Sequence, residues 1–186
     1  MYDVIIIGSG PAGISAALYT QRGGLKTLII SKGSSSLEKA HKIQNYYGLV
    51  EEISGKELYK IGIEQAKRIA VEIIEDEVVQ ISNEKNFKVT TINAEYDATN
   101  VILATGINRK ESTIKGIKEY EGKGISYCAV CDAFFFRGKD VAVIGDGNYA
   151  VHEAEILKPI AKSVRIITNG KSMVQNRNID VETIKD

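Results

Sequence analysis

The stretch "VIIIGSGPAGISAAL", residues 4–18, decides the fold of the first half of the chain. It opens with four apolar, β-branched residues, which is typical of a strand buried on both faces of a sheet. Gly8, Gly10 and Gly13 then form G-x-G-x-x-G, and an alanine-rich segment predicts a helix. A second apolar run at 27–30 completes the order strand, glycine turn, helix, strand. This order predicts a dinucleotide-binding βαβ unit.

Each glycine of this turn has an expected role. Gly8 permits the tight turn, Gly10 lets the backbone approach a pyrophosphate, and Gly13 lets the helix pack closely on the strand. The amide groups and dipole at the helix start would hold the phosphates. The alternative is a βαβ turn that binds no ligand. The predicted cofactor contacts in the turn are Gly8, Ser9, Gly10, Pro11, Ala12 and Gly13.

The residues after the second predicted strand depart from the usual pattern. Dinucleotide sites commonly place an acid here, about 20 residues beyond the glycine motif, to bind a ribose. This chain has Ser31, Lys32 and Gly33 instead. Ser31 is the candidate ribose ligand, although a hydroxyl binds more weakly than a carboxylate.

The middle of the chain predicts further elements of an α/β fold. Residues 55–69 have helical periodicity, and "VEIIEDEVVQI" (71–81) with "FKVTTI" (87–92) indicate a β-meander. "NVILATG", 100–106, predicts another buried strand that ends in small residues. We therefore expect a parallel sheet with an antiparallel layer on one face. Ligands bind at the carboxyl edge of such sheets, which adds Ala104, Thr105 and Gly106 to the predicted contacts.

A second glycine motif follows at 141–157, "VAVIGDGNYAVHEAEIL", with Gly145, Gly147 and Ala150 as G-x-G-x-x-A. The predicted fold is therefore α/β with two Rossmann-like dinucleotide-binding domains. We expect a linker near 107–115, the first domain at 1–111, and the second, incomplete, at 112–186.

This second site lacks features of a strong nucleotide site. Asp146 places a carboxylate in the phosphate turn, where it would repel a pyrophosphate unless it points away. The following strand ends in "ITNGK", with neither an acid for a ribose nor an arginine pair for a 2′-phosphate. Lys171 offers a point charge rather than a guanidinium fork.

The only two cysteines, Cys128 and Cys131, lie in "CAVCD" just before the second motif. At a predicted helix start, the free amides and the dipole favour the thiolate. A redox dithiol is the leading interpretation, and a metal clip or plain core cysteines are the alternatives. We predict no metal, because the sequence shows no further ligands at suitable spacing. Asp132 is a candidate proton shuttle, or else a first-turn acid that stabilises the helix dipole.

Composition narrows the class of protein. Lysine plus arginine and aspartate plus glutamate each number 24, so the net charge is zero. No basic run indicates nucleic acid or an anionic membrane surface. The apolar runs fall far short of the roughly 20 residues that a membrane helix needs. We expect a soluble, cytoplasmic protein that binds neither nucleic acid nor membrane.

The N-terminal motif, "LATG" at 103–106, "CAVCD" and "VAVIGDGNYAVHEA", in this order, resemble the bacterial low-molecular-weight thioredoxin reductases, pyridine nucleotide-disulfide oxidoreductases of class II. The resemblance implies FAD on the first motif, NADPH on the second, thioredoxin as partner and a homodimer at full length. It also implies that Cys131 faces the flavin, that Cys128 attacks the partner disulfide, and that Asp132 is the family's acid. Asn45, in "IQNYYG", would contact the flavin.

Two departures change these expectations. "GSSSLEKA" (33–40) and "TNGKSM" (168–173) replace family segments, and they resemble the ferredoxin-dependent flavin thioredoxin reductases. NADPH use is therefore doubtful, with ferredoxin as the alternative electron donor, although G-x-G-x-x-A is retained. Two complete nucleotide domains need about 300 residues. We therefore expect this 186-residue chain to be truncated within its second domain.

Three functions remain open from the sequence. The leading one is a flavin-dependent disulfide oxidoreductase that reduces thioredoxin through the Cys128/Cys131 dithiol. A second is a related flavoprotein that acts on another dithiol substrate. The third is a catalytically inactive nucleotide-binding module.

Overall fold

The computed structural model consists of two compact units, Met1–Glu111 and Ser112–Asp186. The predicted domains at 1–111 and 112–186 have the same bounds, and their assignment as an FAD-binding domain and an incomplete NAD(P)-type domain remains a prediction. The predicted linker at 107–115 lies mostly outside the described residues, which are 1–107, 112, 114–173 and 181–185.

The first unit has a six-stranded sheet with two helices. Its strands run in the spatial order β3-β2-β1-β6-β5-β4, and β1, β2, β3 and part of β6 are parallel. The elements in chain order are β1 (Tyr2–Ile7), α1 (Pro11–Arg22), β2 (Thr27–Ser31), a 3₁₀ turn (Ser36–Lys39), α2 (Gly55–Arg68), β3 (Glu72–Glu75), β4 (Val78–Asn83), β5 (Phe87–Thr91) and β6 (Glu95–Leu103).

The long strand β6 joins the parallel and antiparallel parts of this sheet. Its first half pairs antiparallel with β5, and its second half pairs parallel with β1, as in the partners Ile7 and Leu103. The antiparallel meander is thus joined to the parallel sheet through β6, and its residues Val89 and Ala98 pack on one face of β1 and β2, which confirms the predicted antiparallel layer. The second half of β6 pairs with β1. Residues 100–106 are expected to form a buried strand, but Leu103 at the end of β6 is 67% exposed.

Residues 71–81, predicted to form one strand of the meander, form two strands instead. β3 joins the parallel edge beside β2, and β4 pairs with β5. The bend between them is held by Asp76, whose carboxylate accepts hydrogen bonds from the Glu77 amide (2.8 Å) and from Asn93 (3.1 Å). Hydrogen bonds from Thr91, the Glu77 amide and Asn93 lower the pKa of the Asp76 carboxyl.

The central strands β1 and β2 are buried on both faces, as their continuous apolar runs predict. Ile6 and Ile29 pack with the helix residues Ala17 and Ala66 on one face. On the opposite face, a second cluster packs against the meander. Each fully buried aliphatic side chain contributes about 1.5–3 kcal/mol, so these strands fix the position of the glycine turn between them. The second cluster consists of Ile5, Ile7, Leu28, Ile30, Val89 and Ala98.

The second unit has a parallel three-stranded sheet in the order β7-β8-β9. Ala150, Ala154 and Ile166 form part of its core. Within the described chain, no helix combines the length and apolar character needed to cross a bilayer. The elements are α3 (Ile117–Tyr120), α4 (Ala129–Asp132), a 3₁₀ turn (Ala133–Phe136), β7 (Asp140–Ile144), α5 (Asn148–Leu157), β8 (Ser163–Ile167) and β9 (Glu182–Ile184).

Candidate dinucleotide and dithiol sites

Two glycines of the first turn are required by the fold itself. Gly8 has a φ of +109°, and its amide donates to the Ile30 carbonyl at 2.8 Å. A Cβ on Gly8 would overlap the Ala104 carbonyl oxygen, and a Cβ on Gly13 would overlap the Gly8 carbonyl oxygen. The turn therefore closes only because both residues lack side chains.

Gly10 differs, because the protein does not need it to be glycine. Its φ is −68°, which any residue can adopt, and a Cβ there would have only the Ser35 Oγ nearby, at 3.3 Å. Pro11 begins α1, and no side chain caps this helix start. The open backbone at Gly10 and the uncapped amides of the first turn fit a pyrophosphate. The residues present therefore fit a dinucleotide such as FAD.

Three hydrogen-bonded hydroxyl groups connect this turn to the end of β2 and to α2. The Ser9 side chain is 1% exposed, and its Oγ lies 2.8 Å from the Ser31 Oγ and 2.7 Å from the Tyr59 hydroxyl. Ser9 and Ser31, both predicted cofactor contacts, thus link the glycine turn to the end of β2. Tyr59 lies on α2, far away in sequence, and no local motif indicated it.

The segment after β6 lies beside the glycine turn. The Ala104 amide donates to the Ile7 carbonyl at 2.8 Å, and this bond places Ala104 against Gly8. Gly106 adopts a φ of +67°. Ala12, Thr105 and Gly106 are exposed, so they are accessible to a ligand. The cofactor contacts predicted for Ala104, Thr105 and Gly106 remain predictions.

Asn45 lies apart from the described contacts of this turn. It is exposed, in a loop closed by the antiparallel bridge between Ile43 and Ile53. Within the described part of the chain, no hydrogen bond links Asn45 to the glycine turn. Its contact with a flavin therefore stays a prediction.

The second glycine turn closes in the same way. The Gly145 amide donates to the Ile167 carbonyl at 3.0 Å, and Gly147 precedes the first residue of α5. A Cβ on Gly145 would lie 2.9 Å from the Ala150 Cβ, so the alanine at the third position fits closely. A Cβ on Gly147 would meet nothing within 4 Å. This turn is open where a phosphate would approach.

Asp146 and Lys171 are distant in sequence but lie beside each other. The Lys171 Nζ is 3.4 Å from the Asp146 Oδ2, and the two side chains are 69% and 35% exposed. An exposed pair of this kind contributes about 0–1 kcal/mol to stability. Lys171 thus lies at the phosphate turn as the partner of a carboxylate, rather than as an unpaired cation.

Cys128 and Cys131 form a disulfide, with their Cα atoms 5.3 Å apart. Cys128 is the residue before α4, and its Sγ accepts a hydrogen bond from the Cys131 amide at 3.3 Å. A sulfur that receives an amide proton at a helix start is stabilised as a thiolate when the pair is reduced. The predicted helix start and the predicted pairing are both present.

The model of the pyridine nucleotide-disulphide oxidoreductase family matches residues 2–184. The chain belongs to this family. The match covers both glycine turns and the disulfide together.

Individual family members are similar along most of the chain. The thioredoxin reductase of Aquifex aeolicus is 42% identical over 177 residues, which are 93% of this chain and 55% of that protein. The crystal structure of thioredoxin reductase from Streptococcus pyogenes matches with a TM-score of 0.85 and 38% identity, covering 99% of this chain and 63% of that one. Thioredoxin reductase from Giardia duodenalis matches with a TM-score of 0.90 and 31% identity, covering 100% and 64%. These matches confirm the α/β fold and the resemblance to thioredoxin reductases, and this chain spans less than two thirds of each relative.

Within this member of the oxidoreductase family, two side chains hold the dithiol helix. Ser126 donates a short hydrogen bond to the Asp132 carboxylate, and its Oγ accepts from the Cys128 amide at 3.1 Å. Glu153 of α5 is 8% exposed and accepts the Ala129 amide at 2.5 Å. The hydrogen bond between Ala129 and Glu153 therefore connects the dithiol segment to α5, the helix that starts at the second glycine turn.

Sequence reasoning missed both Ser126 and Glu153. Glu153 carried a usable signal, because it falls on the apolar face of α5 with Ala150, Ala154 and Leu157. An acid on a buried helix face needs a donor, and here the donor is a backbone amide. Among the residues that the structure describes, no cluster of three or more His, Cys, Asp or Glu side chains could hold a metal ion.

Proposed function

We propose that this chain is the cofactor- and dithiol-bearing part of a flavin-dependent disulfide oxidoreductase that reduces thioredoxin. The observation that carries the proposal is the Cys128–Cys131 disulfide at the start of α4, with the Cys128 Sγ hydrogen-bonded to a helix amide. The chain also carries an open dinucleotide turn at Gly10. Relatives such as that of Aquifex aeolicus are named thioredoxin reductase.

We assign FAD to the first glycine turn. When bound and reduced by an external donor, FAD would supply the two electrons that, with two protons, convert the Cys128–Cys131 disulfide to two thiols. The uncapped amides of α1 bind its pyrophosphate, and Gly10 allows the phosphates to approach the backbone. The fit of these residues supports FAD, and the family to which the chain belongs supports a flavin together with a pyridine nucleotide.

The reduced dithiol then acts by thiol–disulfide exchange. The Cys128 thiolate attacks one sulfur of the thioredoxin disulfide, so a mixed disulfide forms and the other thioredoxin sulfur leaves as a thiolate. The Cys131 thiolate attacks the Cys128 Sγ, which restores the internal disulfide and releases the second thioredoxin sulfur. Two electrons leave the enzyme dithiol and reduce the partner disulfide, and two protons complete its thiols.

Asp132 is the residue to which we assign this proton transfer. Asp132 follows Cys131 directly, and its carboxylate accepts a hydrogen bond from the Ser126 hydroxyl. The Ser126 Oγ in turn accepts a hydrogen bond from the Cys128 amide. We propose that the Asp132 carboxylate takes up a proton from solvent and passes it to a departing thiolate. These hydrogen bonds also hold the carboxylate beside the dithiol segment.

A test of the proposed function supplies electrons without the natural donor. The flavin-loaded protein is reduced anaerobically with dithionite, freed of excess reductant and mixed with oxidised thioredoxin. We expect two new thioredoxin thiols for each pair of electrons delivered. Absence of thioredoxin thiols would contradict the proposal, and thiols formed only with another small disulfide would favour a different dithiol substrate.

We further propose that this protein uses NADPH poorly. Each charge-assisted bond from an arginine to a phosphate contributes about 1.5–3 kcal/mol, and residues 168–172 contain no arginine. The loss of two such contacts corresponds to at least about a hundredfold weaker binding. Lys171 is paired with Asp146, and the Asp146 carboxylate lies in the phosphate turn itself.

The variant Asp146→Gly tests this explanation. It removes the carboxylate and releases Lys171, so we expect NADPH to bind more tightly than to the parent. The measurement is anaerobic bleaching of the flavin by NADPH. The control is Asp140→Gly, which removes a carboxylate at the start of β7 instead of in the phosphate turn. Rapid, stoichiometric bleaching of the parent at micromolar NADPH would overturn the prediction and indicate an ordinary NADPH-dependent enzyme.

The remaining assignments follow from the resemblance and the composition. Reduced ferredoxin is the donor we propose in place of NADPH. We infer a homodimer for the full-length enzyme, and a cytoplasmic location because a cycling dithiol needs a reducing compartment. The balanced charge supports a protein partner rather than nucleic acid.

A further inference from the structure

The first dinucleotide turn lacks the usual ribose-binding acid, yet a carboxylate from another strand lies close to that position. Positions 31–33, at the end of β2 and just after it, hold serine, lysine and glycine. Glu75 is the last residue of β3, and its carboxylate lies against Gly33. A Cβ added to Gly33 would be 2.5 Å from the Glu75 Oε1 and 2.8 Å from its Oε2. The carboxylate of Glu75 therefore occupies the space where a side chain at position 33 would begin.

Strand register places Glu75 on the face of the sheet that carries the phosphate turn. Ser31 and Glu75 are direct partners in the parallel pair of β2 and β3, and directly opposed residues point to the same face. The Ser31 side chain on that face reaches Ser9, in the glycine turn. β2 lies between β3 and β1, and the Glu75 carboxylate lies against Gly33, just after β2, so it is next to the strand that ends in the turn. The acid that binds the ribose of a dinucleotide commonly lies at this end of the second strand.

The two neighbouring acids at this bend are already engaged. The Asp76 carboxylate accepts hydrogen bonds from the Glu77 amide and from Asn93. Glu77 forms an ion pair with Lys32 at 2.5 Å. Glu75 is exposed, and within the described residues its carboxylate has no hydrogen-bond or ion-pair partner. Glu75 is thus the acid at this edge that is available to a ligand.

We propose that Glu75 binds the hydroxyl groups of the adenosine ribose of a dinucleotide held at the first glycine turn. It replaces, from β3, the acid that positions 31–33 lack. Ribose hydroxyls donate to its carboxylate, and such charge-assisted bonds are the strong ones. The same negative charge disfavours a 2′-phosphate on that ribose, so the site selects FAD or NAD-type dinucleotides over NADP. The proposal rests on the proposed function, since it needs a dinucleotide at this turn.

The test compares Glu75→Ala with Glu72→Ala, which removes a carboxylate three residues earlier on the same strand. Affinities are measured by flavin fluorescence titration of the purified chain. The probes are FAD and an FAD analogue whose adenosine ribose lacks both hydroxyls. We expect Glu75→Ala to weaken FAD binding about tenfold to a hundredfold, and Glu72→Ala to change it by less than about twofold. The parent and Glu75→Ala should bind the dideoxy analogue equally.

Three outcomes separate the hypotheses. No FAD binding by the parent would overturn the proposed cofactor site, and the role of Glu75 with it. FAD binding that Glu75→Ala leaves unchanged would overturn the role of Glu75 alone. A Glu75→Ala variant that still prefers FAD to the dideoxy analogue as strongly as the parent would do the same. Glu75→Gln keeps the side-chain length, and an intermediate loss of affinity at an unchanged melting temperature supports a ribose contact over a folding defect.

Discussion

A Gly10→Val variant is expected to fold like its parent and to purify almost without flavin. Its backbone, at a φ of −68°, is one that valine readily adopts, and a Cβ there would have only the Ser35 Oγ at 3.3 Å. The valine side chain would instead project into the space through which a pyrophosphate approaches the amides of α1. Losing two amide–phosphate bonds, at about 1.5–3 kcal/mol each, weakens binding by at least about a hundredfold. The measurement is flavin absorbance per mole of purified protein, beside a thermal melt.

The second glycine turn provides a matched control for this experiment. Gly147 occupies the equivalent position before α5, and a Cβ there would meet nothing within 4 Å. Gly147→Val should therefore retain the flavin of the parent. Gly13→Ala should fail differently, by unfolding, because its Cβ would overlap the Gly8 carbonyl oxygen. A Gly10→Val protein with full flavin content would show that FAD does not bind at this turn.

The features that could be predicted from the sequence are those that local residues determine. The apolar runs of β1 and β2 predict buried parallel strands, because short runs rich in β-branched residues and bounded by turn residues are typical of strands buried on both faces. Gly8 and Gly13 predict the turn, since their lack of a Cβ is what lets the turn close. The start of α4 is also a local feature, because the Cys128 Sγ accepts a hydrogen bond from the amide of Cys131, three residues later.

The features that could not be predicted depend on partners distant in sequence. Residues 71–81 divide at Asp76 because one of its hydrogen bonds comes from Asn93, in the connection that leads to β6. The contact of Ser9 with Tyr59 spans 50 residues, and the carboxylate of Glu75 reaches Gly33 only because β2 and β3 are neighbours. Strand pairing creates these contacts, so a pattern within one segment does not contain them.

The largest loss of catalysis is expected from Cys128→Ser, which should reduce turnover of thioredoxin to background. Serine at this position cannot form the mixed disulfide, because its hydroxyl is not a nucleophile toward sulfur at neutral pH. The structure favours Cys128 over Cys131 as the attacking residue, since the Cys128 Sγ receives the Cys131 amide at 3.3 Å. Reduction of thioredoxin by the dithionite-reduced protein measures the effect. A thermal melt of the reduced proteins shows that the loss is chemical rather than structural.

Cys131→Ser separates the roles of the two sulfurs. Both variants lose turnover, but only Cys131→Ser retains the attacking thiolate without the thiol that resolves the mixed disulfide. We therefore expect Cys131→Ser to accumulate a covalent adduct with thioredoxin, visible on a non-reducing gel, and Cys128→Ser to form none. The opposite pattern would make Cys131 the attacking residue. The hydrogen bond from the Cys131 amide to the Cys128 Sγ would then stabilise a sulfur that does not react with thioredoxin. Turnover by either variant near that of the parent would exclude the dithiol from catalysis altogether.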